Sequence, residues 1–347
     1  MQASLLRKNA RKYLVVRALE RSKVVSMINN FLNLTNYSII GFLGVVFSYL
    51  GTCFLLGTGM NKLPRDHGRA YAHDGAISAG KPRGAGFVFI LVFVIAVLVF
   101  GNPDREMMIY LILTVAAMMT GFLDDCAKVS WGELRKGLLD LVIAIMTAIT
   151  VVNFNGSDVL ISLTGQTIHF HPVVYGVLAV ILVWGSINVT NCADGVDGLS
   201  GTLSSITLGT IYIIMNARGN APEFAYTILL FVSCILGYLW YNATPSCLMM
   251  GDAGSRAIGL FIAISIIKTG SPFLYLLVAF VLMVDGGIGL VKVSLLRFLK
   301  IKILTKVRTP LHDHVRKNRN WSNAQTVFKF AIIQIMISAA VLWLTVM

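Results

Sequence analysis

Long apolar runs alternate with short polar connections along most of the chain. A run of about 20 mostly apolar residues is the length of a membrane-crossing helix. Such windows fall near 37–56, 84–100, 107–122, 137–152, 172–187, 199–216, 224–241, 256–268, 272–296 and 325–346. The pattern predicts an all-α polytopic membrane protein with about ten transmembrane helices. No connection is long enough for a soluble domain, so 37–347 reads as a single integral membrane domain. One connection differs in kind. Val159–Leu163 and Thr167–Phe170 are β-prone runs on either side of Thr164-Gly165-Gln166, which predicts a short outward β-hairpin near 159–170. His169 and His171 lie two apart there. Strand alternation puts both on one exposed face, and no third metal ligand accompanies them.

Composition strengthens the membrane reading. Apolar residues make up 56% of the 347 positions and charged residues 13%. A soluble domain carries roughly a quarter charged residues. These few cannot coat a globule in water, which excludes a soluble enzyme, a nucleic-acid-binding domain and a disordered chain. Five scattered cysteines with no CxxC argue against a disulfide framework and a zinc site. No cleavable leader pattern precedes the first apolar run, which is expected to stay as a membrane helix.

The net charge of +13 gains meaning only by location. With ten spans, the connections 57–83, 123–136, 188–198, 242–255 and 297–324 share one face. They hold 16 Lys and Arg, against 2 in the four connections of the other face. Cytoplasmic loops carry that excess, so the first set is assigned to the cytoplasm. Residues 1–36 hold seven more bases interleaved with Leu5, Leu6, Tyr13, Val16, Leu19 and Val24. An even span count puts this segment on the opposite face, where it suits an amphipathic helix lying at the interface.

The scarce acids are more informative. Nine of the 16 Asp and Glu lie in the cytoplasmic connections, several in compact motifs. Carboxylates at the ends of apolar spans cost desolvation that a partner or cation must offset. In Gly121-Phe122-Leu123-Asp124-Asp125-Cys126-Ala127-Lys128, adjacent carboxylates point about 100° apart on a helix. They can serve a metal and a phosphate, or simply end a helix with Lys128 as a surface partner. Asn188-Val189-Thr190-Asn191-Cys192-Ala193-Asp194-Gly195-Val196-Asp197-Gly198-Leu199 is the densest motif. Its amides and carboxylates suit a nucleobase, a ribose or a cation, and its glycines allow close backbone approach. In Met249-Met250-Gly251-Asp252-Ala253-Gly254-Ser255-Arg256, Asp252 or Ser255 could cap a helix. If Ser255 does, Asp252 is free for a metal. Thr309-Pro310-Leu311-His312-Asp313-His314 places a His-x-His in a basic connection, near phosphate oxygens or anionic lipid. Lys81-Pro82-Arg83-Gly84-Ala85-Gly86 is either a phosphate cradle or a basic anchor with small residues for helix packing. All five motifs fall on the same predicted face. Asp285 and Asp140 fall within spans, where a buried charge is functional by default; a helix-packing hydrogen bond is the competing and preferred reading.

Taken in order, FLDDxxK, NxxNxxDGxDGL, MGDxGS and TPLHxH resemble the polyprenyl-phosphate N-acetylhexosamine-1-phosphate transferases. Within them the chain is most similar to the branch that uses UDP-N-acetylmuramoyl-pentapeptide. It departs from that branch's pattern at His312-Asp313-His314-Val315-Arg316, where three consecutive His then Phe-Glu are usual. Gly80-Lys81-Pro82-Arg83-Gly84-Ala85-Gly86 likewise stands in place of Gly-Thr-Pro-Thr-Met-Gly-Gly. The resemblance implies transfer of a phospho-sugar from UDP to undecaprenyl phosphate in the bilayer, with release of UMP and with Mg²⁺. It implies a bacterial inner membrane with the site on its cytoplasmic face, and it allows a homodimer. By resemblance Asp252 holds Mg²⁺, with Asp124 and Asp125 at the metal or the attacking phosphate. Asn191, Gly195 and Asp197 line the uridine pocket, with Asn188, Asp194, Lys81 and Arg83 as further substrate-binding residues. Lys128, His312 and His314 hold phosphates. Direct attack by the lipid phosphate is expected, with a covalent route through Asp124 or Asp125 as its competitor. Two other functions fit less well. One is transfer from UDP-N-acetylglucosamine for another surface polymer. The other is a secondary transporter, whose site would lie near the midplane rather than at one face.

Overall fold

The computed structural model describes residues 37–66, 68, 78–162 and 164–346. The predicted amphipathic segment 1–36, Asp74 and hairpin residue Leu163 lie outside the described residues. The chain is mainly helical. In order come α1 (Tyr37–Gly59), α2 (Ala85–Phe100), α3 (Arg105–Asp125), α4 (Glu133–Asn155), α5 (Pro172–Cys192), α6 (Leu199–Arg218), α7 (Pro222–Asn242) and α8 (Gly251–Lys268). A bent segment, 272–299, follows, then the short α9 (Leu311–Arg319) and α10 (Asn323–Val346). Local chemistry sets the boundaries. Asp104 caps α3 by accepting from the Met107 N–H at 2.7 Å. Pro172 and Pro222 open α5 and α7, where a missing N–H costs nothing. Gly219 ends α6 at a positive φ of 68°.

Among the described residues, six helices are long and apolar enough to cross a membrane: α1, α3, α4, α5, α7 and α10. The bent segment makes a seventh if its two arms, 73° apart, count as one span. The remaining windows of the ten-span expectation are helical but differ in character. The α2 helix has only 16 residues. The α8 helix carries Asp252, Arg256 and Lys268, and every position from Gly251 to Ile267 is buried. A helix enclosed by α2, α3, α5 and α6 meets protein rather than lipid, so it can keep polar residues. The α6 helix is rich in Ser and Thr, and Thr207 among them bonds across the bundle to the Val278 carbonyl at 2.9 Å. Around α8 the core closes through Phe93, Phe231 and Phe261, with ring centroids 4.4 to 5.2 Å apart. On the outside, Phe42, Phe54, Ile112 and Trp343 are all more than 60% exposed. Such a surface suits a hydrocarbon solvent.

The predicted hairpin is present. Strands β1 (Asp158–Ile161) and β2 (Gln166–His169) pair antiparallel, with Val159 opposite Ile168. His169 pairs with Asp158 at 2.7 Å, and His171 caps α5 by accepting from the Val173 N–H. Both histidines thus have structural duties.

Candidate active site

Two helix ends and one loop meet at one end of the bundle. The last turn of α3 delivers Asp124 and Asp125, the first turn of α8 delivers Asp252, and the approach to α2 delivers Arg83. Close approach depends on glycine. A Cβ at Gly121 would collide with the Asp252 backbone, and one at Gly251 would collide with the Asp125 carboxylate. Gly251 also has a φ of +70°, which other residues rarely adopt. Asp125 accepts from the backbone N–H groups of Asp252 and Ala253, each at 3.1 Å. It therefore caps α8 from another helix. Neither Asp252 nor Ser255 is the cap, because α8 begins at Gly251 and both lie inside its first turns. Ser255 instead donates to the Gly251 carbonyl and accepts from Asn191 at 2.9 Å.

Cations interleave with these acids. Arg83 reaches Asp125 at 2.8 Å, Asp252 at 3.1 Å and Asp66 at 3.4 Å. Lys136 of α4 bridges Asp124 and Asp252, the latter at 2.9 Å. Arg256 pairs with Asp140 at 2.8 Å and approaches Asp252 at 3.7 Å. Burial alone would pull the Arg83 guanidinium pKa down. Asp125, Asp252 and Asp66 outweigh it and raise the pKa above the usual arginine value. Arg83 is thus a fixed positive charge. Five acids (Asp66, Asp124, Asp125, Asp140, Asp252) share three cations (Arg83, Lys136, Arg256), a surplus of two negative charges. Such a surplus in a buried site is costly unless a cation joins it. The described residues offer no group of three or more His, Cys, Asp or Glu arranged around a metal. Mg²⁺ needs only one or two carboxylates, all-oxygen, and keeps the rest of its shell for water and phosphates. Asp124 and Asp252, which already share one cation, fit that requirement.

Beside the acids opens a cavity of about 200 Å³, lined by Lys81, Arg83, Asn191, Asp194, Gly195, Asp197 and Asp252. Asp197 pairs with Lys81 at 3.6 Å and accepts from the Ser246 N–H. Asn242 ties the two Gly-Asp motifs together: its side chain accepts from Gly198 and donates to the Leu248 carbonyl, both at 2.8 Å. The Lys81–Gly86 motif, left open between cradle and anchor, thus contributes to the cavity wall and to the ion-pair network. His312 is buried, with its ring against Gly195.

Asp124 and Asp125 stand behind the cavity lining in the ion-pair network, and His312 stands behind Gly195; three further sequence candidates lie apart from the lining and from these contacts. Asn188 donates to the Trp184 carbonyl at 2.9 Å along its own helix. His314 accepts from the Arg308 N–H at 3.4 Å. Lys128 is exposed, and Lys136 meets the Asp124 carboxylate in its place. Both lysines stand in the same stretch of sequence. Only the return of the chain into α4 distinguishes them, placing Lys136 one turn inside a helix that packs on α3. Asp140 and Asp285 are the ion-pair and hydrogen-bond partners of Arg256 and His312 respectively, contacts between packed elements as expected. A larger cavity, about 680 Å³, opens elsewhere, lined by Glu106, Tyr110, Glu223 and Lys268. None of the motif residues borders it.

The sequence compares as follows. Residues 107–270 match the family model of glycosyl transferase family 4. A phospho-N-acetylmuramoyl-pentapeptide-transferase of Treponema pallidum (strain Nichols) is 39% identical over 329 residues, covering 89% of this chain and 90% of the relative. The protein of the same name from Symbiobacterium thermophilum is 30% identical, covering 73% and 78%. That from Wolbachia pipientis wMel is 25% identical, covering 74% and 82%.

Proposed function

The chain belongs to the phospho-N-acetylmuramoyl-pentapeptide-transferase family, and on that premise we propose that it moves phospho-N-acetylmuramoyl-pentapeptide from UDP to undecaprenyl phosphate, forming lipid I for peptidoglycan synthesis. The observation that carries this reading is the acid cluster of Asp124, Asp125 and Asp252, threaded by Arg83 and Lys136, which reaches the Asn191–Asp197 cavity through Asp252 and Arg83. One acceptor is confined to the membrane and one donor is soluble, so the site must stand where bilayer and water meet. The cluster sits at the ends of membrane-length α3 and α4, which suits that boundary. On the ten-span reading, the 16-to-2 excess of Lys and Arg favours the cytoplasmic face of a bacterial inner membrane.

Residue roles follow from position. Asn191, Asp194, Gly195 and Asp197 receive the uridine, and Lys81 and Arg83 face the diphosphate. An oxygen of the lipid phosphate attacks the phosphorus bound to the sugar. The bond to the uridylyl phosphate breaks, and UMP leaves with that electron pair. Bound Mg²⁺, held by Asp252 with Asp124, would neutralise phosphate charge; its two positive charges match the surplus of the acid cluster. Asp125 stays a helix cap, with its oxygens committed to Arg83 and two backbone N–H groups. That commitment favours direct attack over a covalent route through Asp125. Phosphoryl transfer of this kind needs positioning and charge neutralisation more than covalent help from the protein.

The test is a product assay with purified protein, undecaprenyl phosphate, Mg²⁺ and each of two UDP-sugars. UDP-N-acetylmuramoyl-pentapeptide should give UMP and a lipid-linked product. Product from UDP-N-acetylglucosamine instead would overturn the substrate assignment. Solute flux without UMP would overturn the enzyme.

A further inference from the structure

The bent segment contains a π-helical turn, Met283–Gly287, with Asp285 at its centre. Asp285 is fully buried, and its carboxylate spends both oxygens on one residue. Oδ1 accepts from the His312 backbone N–H at 2.7 Å, and Oδ2 meets His312 Nδ1 at 2.8 Å. The first contact has a structural cause. His312 is the second residue of α9, so its N–H has no partner within the helix. Pro310, at the cap position, provides no side-chain cap. Asp285 supplies one from another segment, and its negative charge suits a helix N-terminus.

The second contact goes further than a cap requires. A carboxylate accepts only, so the proton of this contact sits on Nδ1. Nε2 is then the one ring nitrogen left for another partner. It faces Gly195, where a Cβ would collide with it, and it lies 3.9 Å from Asp313. Gly195 borders the cavity beside Asp252. Arg316, on the same short helix, donates to the Gly195 carbonyl at 3.3 Å and to Asp313 at 2.7 Å, which fixes α9 against that loop.

We infer that Asp285 is a positioning residue for the transfer reaction: it fixes the Nδ1–H tautomer of His312 and aims Nε2 at the Gly195 edge of the substrate cavity. This rests on the transferase reading above. It differs from mere helix capping in a way Asp285→Asn can separate. Asparagine keeps an oxygen for the backbone N–H, so α9 stays docked. Its amide NH₂ then faces Nδ1, which must turn acceptor, and the ring proton moves to Nε2.

Two measurements test this. In UMP release, Asp285→Asn should lower kcat about 100-fold, with KM for the UDP-sugar changed less than about twofold. In a His312→Ala background the same substitution should cause no further loss, because Asp285 acts through His312. Wild-type kcat in Asp285→Asn, or losses that multiply in the double variant, would overturn the inference. The second measurement is the ¹⁵N spectrum of histidine-labelled protein, with His312→Ala assigning the signal. His312 should be protonated on Nδ1 in the wild type and on Nε2 in Asp285→Asn. A wild-type ring protonated on Nε2 alone overturns the inference whatever the activity. The spectrum needs no substrate, so a wild type that releases no UMP refutes the transferase reading and leaves Asp285 to be decided by the spectrum.

Discussion

Two of the clusters of buried charge among the described residues are built on different principles. The first joins Glu106 of α3 to Lys268 at the end of α8. Lys268 reaches both Glu106 oxygens at 3.0 and 2.8 Å, and Tyr110 and Asn155 donate to the same carboxylate. One acid meets one base, and neutral donors take up the remaining lone pairs. The second cluster gathers five acids on three cations, and its members come from four parts of the chain. The balanced cluster needs nothing more and borders the larger cavity. The unbalanced one borders the smaller cavity and has charge to spare for a cation. In this molecule buried acids drawn together on shared cations, more than the cavity volume, mark where chemistry is expected.

This contrast can be broken or sharpened by experiment. The largest effect should come from removing divalent metal. Chelation should abolish UMP release and lower the melting temperature by a few degrees, because it leaves the surplus of two negative charges without its cation. An unchanged melting temperature would mean that no divalent cation offsets the cluster. Next in size is Lys136→Ala, which leaves Asp124 and Asp252 facing each other without their shared ammonium. Its kcat should fall about 100-fold; a rate within threefold of wild type would return the role to another base. Smallest is Lys128→Ala. Lys128 is exposed, so the rate should change less than about twofold. A loss as large as that of Lys136→Ala would show that the two lysines act together.

Much of the site was legible in the sequence, for a physical reason. Acids are scarce in an apolar chain, so each one at the end of a span asks for a partner. The motifs around Asp124, Asn191 and Asp252 do meet, as their placement on one predicted face required. What the sequence hid was pairing across long separations. Nothing in residues 121–136 distinguishes Lys136 from Lys128; the turn into α4 does. Asp125 as the cap of α8 joins residues 127 apart, and Asp285 with His312 joins residues 27 apart. The apolar pattern also treated α8 as one more span, whereas its polar first turns are permitted by enclosure on all sides. The bend in 272–299 was invisible for a related reason: the helix breaks at the apolar Ala279, which changes direction without interrupting the apolar run.

The most direct test of the contrast compares Asp252→Asn with Lys268→Met in one UMP-release assay, with melting temperature read alongside. Lys268→Met leaves Glu106 buried without its ion-pair partner, which should cost about 3 kcal/mol of stability, yet its folded fraction should turn over at the wild-type rate. Asp252→Asn relieves surplus charge, so it should melt no lower than wild type while releasing no UMP. A stable, inactive Asp252→Asn beside a destabilised, active Lys268→Met is the predicted result. Near-normal turnover in Asp252→Asn, or turnover lost in folded Lys268→Met, would contradict the account.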